Sequence, residues 1–458
     1  MPFLQGNPSR RLHTPASEGF AVHLKIIPME NFKATGYQLQ TIATGRVFED
    51  EGWVIDDPQC DVPSLVRALY EKKQIDPKDL SHGIYRFADW LPIKRTLKGS
   101  CAPITYKSEK LAQKLGLQNL YITFNGYFPK IGATMNTCSF KETEAYSVCG
   151  RLDAGCGRVL VVASAGNTAR AFAKVCSDNR IPLLLSVPED NISALWFDAP
   201  LNDCVKLISC QKGGDYFDAI HLSNLVLKSD KFLAEGGAKN IARRDGMATT
   251  VLSAVTFIGQ IPDFYFQAVG SGTGAIAAWE ANLRLIEDGR FGHKKMRLMV
   301  SQNDPFLPMY KAWKADSRAL LAYDDEQARR DAETINAKVL SNRKPPYSLA
   351  GGLFDALKDT NGDILKVTNA QAEAAQQLFL ETEGVDIYSA AGVALHSLIE
   401  SVQNGTVKPQ DMVMLNITGG GEKLCLQGKQ PWMLKPHLVF PLDPNPEEVL
   451  EKVSALFA

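Results

Sequence analysis

Short apolar runs recur along the chain from about residue 100, and most are followed by a helical pattern or a glycine-rich turn. The runs are Arg158–Ala163, Ile181–Val187, Phe264–Val269, Met296–Val300 and Met412–Ile417. Helices are predicted at Thr168–Cys176 and Ala275–Ile286. Strands that are apolar on both faces belong to sheets covered on both sides. The pattern therefore predicts an α/β fold with buried parallel strands.

The N-terminal region has a different rhythm. Apolar and polar residues alternate in Tyr37–Ile42, so residues 21–60 are predicted to form a small β-rich appendage. Ser64–Lys73 has the pattern of a helix. The polar stretch Ala328–Tyr347 is expected to cross between lobes. Near the end of the sequence, Asn445 is a candidate N-cap for a helix over Asn445–Phe457.

Length and composition limit the function classes. A chain of 458 residues is too long for one typical core, so two domains and a small appendage are expected. The net charge of -1 gives no basic excess, and no nucleic-acid or membrane partner is predicted. No apolar run reaches the ~18 residues of a transmembrane helix, and the first residues do not resemble a signal peptide, so the cytoplasm is the default.

Metal-binding patterns are missing from the sequence. The nine cysteines contain no C-x-x-C pair, and the seven histidines contain no H-x-x-x-H pair. Scattered cysteines of this kind are usually buried free thiols. We therefore predict no metal site and no disulfide framework.

Lys141 is a candidate catalytic and cofactor-binding residue. It follows the apolar segment Cys138-Ser139-Phe140. Lysine forms an imine with an aldehyde, and it does so best when partial desolvation lowers its pKa. The alternative is that Lys141 begins a surface helix, because KETEAY reads as a first helical turn.

A segment of small residues joins a predicted strand to a predicted helix at Ser164, Ala165, Gly166, Asn167 and Thr168. Such a joint exposes backbone N–H groups at a helix N-terminus, which suits a carboxylate. We therefore predict that these residues bind the substrate and that the Asn167 amide also contacts a cofactor. The alternative is a simple N-cap made by Asn167 or Thr168.

A glycine-rich loop follows another predicted strand at Gly270, Ser271, Gly272, Thr273 and Gly274. Glycines let the backbone approach a phosphate, and the two hydroxyls add donors. A dinucleotide loop is the competing interpretation, because the segment also fits G-x-G-x-x-A. Against it, the first acid after the next strand is Asp304, and the loop lies late in its domain.

Thr418 ends a predicted strand and precedes three glycines. A hydroxyl at this position can bond a pyridine nitrogen without holding it protonated, which favours β-elimination and replacement. A glycine-rich turn without any ligand is the alternative.

Taken together, these four segments resemble the threonine synthase family of fold-type II pyridoxal phosphate (PLP) enzymes. The likeness covers roughly residues 83–425 and includes further family segments: Gly83–Phe87, Leu91-Pro92, Asn119–Ile122, Glu383–Val385 and Ser389–Gly392. It implies Lys141 as the Schiff-base lysine, Asn167 on the phenolic oxygen, Gly270–Gly274 on the phosphate and Thr418 at the ring nitrogen. It also implies a homo-oligomer.

The resemblance implies a tryptophan synthase β-like fold. Such a fold has two doubly wound parallel-sheet α/β domains, here with the small N-terminal β-rich appendage. We expect the appendage at residues 1–82, a large PLP-binding domain at 83–131 and 235–458, and a small domain at 132–234.

Three departures from the usual threonine synthase motifs point to one branch of the family. They are Glu142-Thr143-Glu144 after the lysine, Ala165 in the asparagine loop, and Gly420 and Glu422 in the loop Thr418–Lys423. They resemble the branch that forms L-cysteate, as do Pro262–Phe266 and Trp279. This implies a β-replacement in which O-phospho-L-serine and sulfite give L-cysteate and phosphate, and the product can feed coenzyme M or another sulfonate.

Several alternatives stay open at this point. Threonine synthase activity on O-phosphohomoserine, or a related synthase with another nucleophile, would use the same motifs. Two alternatives come from other functional classes: a dinucleotide-dependent oxidoreductase and a non-catalytic PLP-binding protein. Four basic residues are candidates for holding phosphate and then sulfite, although exposed charges are the ordinary alternative for each: Arg170, Lys212, Arg243 and Arg244.

Overall fold

The computed structural model describes residues 32–164, 166–214 and 216–458. In these ranges the strands are β1 (Tyr37–Thr41), β2 (Val47–Phe48), β3 (Val66–Tyr70), β4 (Ile104–Lys107), β5 (Asn119–Phe124), β6 (Tyr127–Phe128), β7 (Ala133–Thr134), β8 (Val159–Ala163), β9 (Leu183–Ser186), β10 (Trp196–Phe197), β11 (Val205–Cys210), β12 (Phe232–Ala234), β13 (Phe264–Ala268), β14 (Arg297–Asp304), β15 (Asp363–Thr368), β16 (Met412–Ile417), β17 (Trp432–Met433) and β18 (Leu438–Phe440).

The α-helices of the same ranges are α1 (Lys110–Leu115), α2 (Lys141–Arg151), α3 (Asn167–Asn179), α4 (Tyr216–Val226), α5 (Ile241–Ile258), α6 (Thr273–Asp288), α7 (Pro308–Lys314), α8 (Asp325–Thr334), α9 (Leu353–Asp359), α10 (Asn369–Glu383), α11 (Ser389–Gln403), α12 (Glu422–Cys425) and α13 (Pro446–Ala455). Short 3₁₀ segments lie at Leu80–Trp90, Pro129–Ile131, Glu189–Ala194, Gly237–Lys239 and Lys338–Leu340. None of these helices is both long and apolar enough to cross a bilayer.

A small antiparallel sheet in the order β2-β1-β3 forms the described part of the N-terminal appendage. Residues 21–31 of the predicted β-rich segment lie outside the described ranges. The helix predicted at Ser64–Lys73 is wrong, because Val66–Tyr70 pairs with β1 as a strand. Its buried residues alternate with half-buried ones, the period of a strand with one covered face.

The larger sheet contains six strands in the order β15-β14-β13-β16-β5-β4. All of its neighbouring pairs are parallel except the edge pair of β4 with β5. Successive residues of its strands enter two separate cores. Tyr265 packs with α5 and α6 on one face, while Phe264 and Phe266 pack with α10 and α11 on the other. The sheet is therefore covered on both sides, as its apolar strands predicted.

The second sheet is wholly parallel and has the order β12-β8-β9-β11-β18. Helices α2 and α3 cover one face, where Leu160 and Val162 are buried. Helices α4 and α13 cover the face of Val159 and Val161. The predicted α/β class with two doubly wound sheets is confirmed, and so are the strands and helices predicted from the apolar runs.

The last described strand departs from the predicted domain division. Residues 235–458 were expected in the large domain, but β18 pairs in parallel with β11 of the five-stranded sheet. Helix α13 follows it and packs on α4. The apolar Val449 and Val453 drive this docking, since both are fully buried. The boundaries of the two domains otherwise stay a prediction.

Two further sequence predictions have clear outcomes. Asn445 does cap α13, because its side chain accepts from the backbone N–H groups of Glu447 and Glu448. Ala328–Tyr347 was expected to cross between lobes as a polar connection. It instead lies between β14 and β15, which are neighbours in the six-stranded sheet. It contains the end of α8 and a 3₁₀ turn whose Val339 and Leu340 reach the cleft described next.

Candidate active site

One cleft brings together most of the residues that the sequence singled out. Lys141, Asn167, Gly270–Gly274 and Thr418 all line it. Strands β13 and β16 are neighbours in the six-stranded sheet, so the loops after them meet at one sheet edge. The cleft encloses about 590 Å³ of empty space, counted out to open solvent. That is within the usual size of a small-molecule site.

The glycine loop forms a cup at the start of α6. Gly272 has a φ of 79° and lies directly before the helix, where its lack of a side chain permits the turn. A Cβ on Gly270 would lie 2.7 Å from the Val339 carbonyl oxygen, so only glycine fits this close approach. The Ser271 and Thr273 hydroxyls are 2.8 Å apart. A helix N-terminus with free backbone donors suits a phosphate group.

Lys141 begins α2, but this helix is not a surface helix. Every residue of the helix after Lys141, from Glu142 to Arg151, is buried. The Lys141 side chain keeps 20% of its surface exposed, and its Nζ lies 3.2 Å from Glu144 Oε2. Burial lowers the pKa of Lys141, Glu144 opposes this effect, and Arg243 adds to it. A partly desolvated lysine that opens onto a cleft is suited to imine formation.

Gly166 is the N-cap residue of α3, and Ser164 rather than Asn167 or Thr168 satisfies backbone N–H groups at its start. The Ser164 hydroxyl accepts from the N–H groups of Gly166 and Ala169, each at 3.1 Å. Asn167 Oδ1 instead accepts from Arg170 at 3.1 Å, and the Thr168 hydroxyl donates to Glu144 Oε1 at 3.1 Å. The simple N-cap made by Asn167 or Thr168 is therefore wrong.

The other predicted substrate-binding residues differ in their relation to the cleft. Ala165 lies outside the described residues. Ser164, Gly166 and Thr168 are not among the residues that line the cleft, whereas Asn167 is. The predicted roles of this segment stay predictions.

Thr418 is held beside Lys141 by the backbone. Its carbonyl oxygen accepts from the Phe140 N–H at 3.0 Å, and Gly419 forms a bridge with Ser139. Added Cβ atoms on Gly419 and Gly421 would collide with Tyr388 and with the Tyr127 carbonyl oxygen. The glycines after Thr418 thus allow two loops to approach closely, and the predicted contact of Thr418 with a ring nitrogen stays a prediction.

Tyr388 is a lining residue that the sequence reasoning missed. Its hydroxyl accepts from Arg170 at 2.9 Å and donates to Glu422. Burial raises its pKa, so the phenol stays neutral beside the cleft. A signal was available, because Tyr388 directly precedes the Ser389–Gly392 segment that carried part of the family resemblance.

Gln267, Val339 and Leu340 are further lining residues that the sequence did not indicate. Gln267 receives a hydrogen bond from Asn416 at 3.0 Å, and Asn416 also donates to Tyr265 at 2.8 Å. These polar groups lie inside two strands that read as apolar runs. No short motif marks them.

The four basic candidates are mostly buried, contrary to the surface alternative. Arg244 is fully buried, pairs with Glu280 and is not among the residues that line the cleft. Arg170 is 2% exposed and donates to Thr137, Ala194, Asn167 and Tyr388. Arg243 pairs with Glu144 and Glu235. Lys212 is exposed.

The site has the groups that an aldehyde cofactor with a phosphate needs. It offers a desolvated lysine amine, a glycine cup at a helix N-terminus and an amide whose oxygen is already bonded. Because Arg170 donates to Asn167 Oδ1, the amide nitrogen is the atom of this side chain that would donate to a ligand. Among the described residues, no group of three or more His, Cys, Asp or Glu could hold a metal ion.

Comparisons with known proteins agree with this geometry. The family described as pyridoxal-phosphate dependent enzyme matches residues 105–419. A cysteate synthase of Methanosarcina mazei is 45% identical over 84% of this chain and 92% of its own length. A cysteate synthase of Methanocella paludicola is also 45% identical, over 85% of this chain and 91% of its own length.

Solved structures give the same fold at low sequence identity. Maize serine racemase matches with a TM-score of 0.54 and 13% identity, over 70% of this chain and 88% of its own. A PLP-dependent aspartate racemase matches with a TM-score of 0.51 and 15% identity, over 70% and 90%. At these identities the likeness is one of fold alone.

Proposed function

Because the chain belongs to the family of pyridoxal-phosphate-dependent enzymes, we propose that it catalyses a β-replacement on O-phospho-L-serine. Sulfite takes the place of the phosphate group at Cβ, and the products are L-cysteate and inorganic phosphate. The observation that carries this proposal is the near full-length similarity to two cysteate synthases. The dependence on PLP also removes support from the dinucleotide interpretation of Gly270–Gly274.

Bound PLP supplies an electron sink for the Cα electrons of an amino acid. The chain's own residues would hold and orient the reactants. Lys141 would carry the cofactor and, once released, take the Cα proton on Nζ. The cup at Gly270–Gly274 would bind the cofactor phosphate, and the Asn167 amide nitrogen would donate to the phenolic oxygen.

Thr418 supports replacement chemistry over other PLP reactions. A hydroxyl at the ring nitrogen does not keep that nitrogen protonated, which favours elimination and addition across Cα and Cβ. The segment Ser164–Thr168 would hold the substrate carboxylate, as predicted from the strand–helix joint. The N–H groups of Ser164 and Gly166 already donate within the protein, so the donors would come from Asn167 and Thr168. These residue roles are part of the proposal.

The test is product formation by the purified enzyme. With O-phospho-L-serine and sulfite, we expect L-cysteate and phosphate in equal amounts by mass spectrometry and a phosphate assay. Lys141→Ala should lose the visible absorbance of bound cofactor and at least ~10²-fold in rate. Threonine from O-phosphohomoserine, with no product from phosphoserine and sulfite, would overturn the choice of reaction.

The same resemblance leads us to expect a homo-oligomer in the cytoplasm whose product feeds coenzyme M or another sulfonate. Light scattering of the purified protein measures the oligomeric state. Replacing sulfite with sulfide in the product assay tests a relative that uses another nucleophile. A faster reaction with sulfide would favour that relative.

A further inference from the structure

Glu144 is a carboxylate in direct contact with the candidate catalytic lysine. It lies one helical turn after Lys141 on α2 and is fully buried. Its Oε2 is 3.2 Å from Lys141 Nζ. Residues at i and i+3 face the same side of a helix, so α2 itself keeps the two groups together.

The second carboxylate oxygen of Glu144 is already occupied. Oε1 accepts from the Thr168 hydroxyl at 3.1 Å and lies 3.3 Å from an Arg243 guanidinium nitrogen. Arg243 is itself held by Glu235, at 2.7 and 2.5 Å. With α3 and α5 fixing one oxygen, Glu144 cannot turn away from Lys141 without breaking both contacts.

Charges on several elements face Lys141. Glu144 lies on α2, Arg243 on α5 and Glu235 just after β12, and Tyr216 of α4 interacts with the same three groups. Two carboxylates thus balance Lys141 and Arg243 when the lysine is protonated. A buried carboxylate is costly unless it is paired in this way.

We propose that Glu144 is a positioning residue that holds the ε-amino group of Lys141 whenever the lysine is not bonded to the cofactor, and that it stabilises the protonated form. The inference rests on the proposed role of Lys141. When the neutral amine takes the substrate Cα proton, Glu144, whose Oε2 is 3.2 Å from Nζ in this structure, would stabilise the resulting ammonium. The electron pair of the broken C–H bond stays with the substrate.

The direction of the pKa shifts agrees with this role. Burial lowers the pKa of Lys141, and Glu144 acts against burial. Removing the Glu144 charge should therefore lower that pKa further. A nearby opposite charge is typically worth about 1–3 pKa units, so the change is measurable.

The chain offers a matched control in Glu142. It lies on the same helix and is 4% exposed, but its carboxylate accepts from Thr137 N–H and hydroxyl instead of contacting Lys141. Glu142→Gln and Glu144→Gln each replace one buried carboxyl group of α2 by an amide. They differ in whether the replaced group contacts Lys141.

The experiment follows the return of the visible cofactor band after PLP is added to the full-length protein stripped with hydroxylamine, across pH. In Glu144→Gln we expect the midpoint of this rate profile to fall by about one pH unit, because the neutral amine forms at lower pH. Glu142→Gln should keep the wild-type midpoint. In the holoenzyme, Glu144→Gln should lower kcat up to about 100-fold through misplacement of the amine, with little change in KM.

An unmoved midpoint in Glu144→Gln would overturn the proposal, even if that variant were less stable or slower. If Glu144→Gln does not fold, Glu144→Asp withdraws the charge by one methylene, and its midpoint should fall by a smaller amount. An unmoved midpoint in Glu144→Asp would then overturn it. A visible band retained in Lys141→Ala would instead sink the proposed role of Lys141, so the two failures are distinguishable.

Discussion

The two walls of the cleft are built in opposite ways. On the α2 and α3 side, Lys141 contacts the buried Glu144, which in turn pairs with Arg243. On the side of the six-stranded sheet, the cup at Gly270–Gly274 presents backbone groups and two hydroxyls. The first, which we call the charged wall, consists of Lys141, Glu144 and Arg243 and depends on ion pairs between distant segments. The second, which we call the neutral wall, is the cup at Gly270–Gly274 and depends on the shape of a single loop.

This difference separates reactivity from binding. The charged wall surrounds the group whose proton must move, and ion pairs in a buried setting act strongly on its pKa. The neutral wall needs only to fit a phosphate, for which close backbone approach suffices. We expect substitutions in the charged wall to change stability and pH dependence, and substitutions in the cup to change cofactor affinity.

The largest expected effect breaks the charged wall at its centre. Arg243→Met leaves Glu144 and Glu235 buried without their shared cation, which should lower the free energy of unfolding by about 3–5 kcal/mol. Burial opposes the Arg243 charge, but the two carboxylates outweigh it and raise its pKa, so the guanidinium is charged at all working pH values. Urea unfolding measures the loss. Adding Glu144→Gln and Glu235→Gln should recover part of it, and no recovery would contradict the charge argument.

A second effect concerns Glu142, a buried carboxyl group of α2 that lies outside the charged wall and bonds to Thr137. Burial raises the pKa of Glu142 from 4.5 to about 7. The folded state therefore binds this proton more tightly than the unfolded state does, and stability falls as pH rises from 4.5 to about 7. The full loss is about 3 kcal/mol at 1.36 kcal/mol per unit. Thermal unfolding of Glu142→Gln should lack this slope, and an unchanged slope would assign it to other groups.

A third effect concerns the neutral wall. The methyl group of Gly270→Ala would lie 2.7 Å from the Val339 carbonyl oxygen and 3.0 Å from Leu340 Cα, so the cup or its cover must shift. Overpacking of this kind costs about 1–3 kcal/mol, or about 5- to 140-fold in PLP affinity. Titration of stripped protein with PLP measures it. Gly155→Ala is the control, since a Cβ there meets nothing within 4 Å.

The smallest effect separates the cup's shape from its hydroxyls. Ser271→Ala removes one partner of the 2.8 Å contact with Thr273 but leaves the backbone in place. A single hydrogen bond is worth about 1 kcal/mol, so PLP affinity should fall less than ~10-fold. If Ser271→Ala lost as much affinity as Gly270→Ala, the hydroxyls and not the backbone would dominate binding.

The neutral wall could be predicted because the residues that form it are neighbours in the sequence. Gly270–Gly274 and Thr418 each follow a strand that was visible as an apolar run, and parallel strand ends meet at one sheet edge. The charged wall could not be foreseen in the same way. Glu144 appeared only as a departure from a motif, and its partners Thr168 and Arg243 come from other helices.

Prediction of the fold from the sequence was limited in the same way, to features that local sequence determines. Periodicity identified β8, β9, β13, β14 and β16, which are buried on both faces. It failed at Val66–Tyr70, where pairing with β1 decides the conformation and no local signal shows it. It also gave no sign that Val339 and Leu340 cover the cup, because their contacts are set by tertiary packing.

The pairing of β18 with β11 has a consequence for how the chain is made. During synthesis, β8, β9 and β11 leave the ribosome long before Leu438–Phe440, so one edge of their sheet waits for a partner. An unpaired parallel edge invites association with other chains. Nascent chains stalled before β18 should therefore be the species most prone to aggregate. Pairing of β18 with β11 and docking of α13 on α4 would then cover the exposed sheet edge.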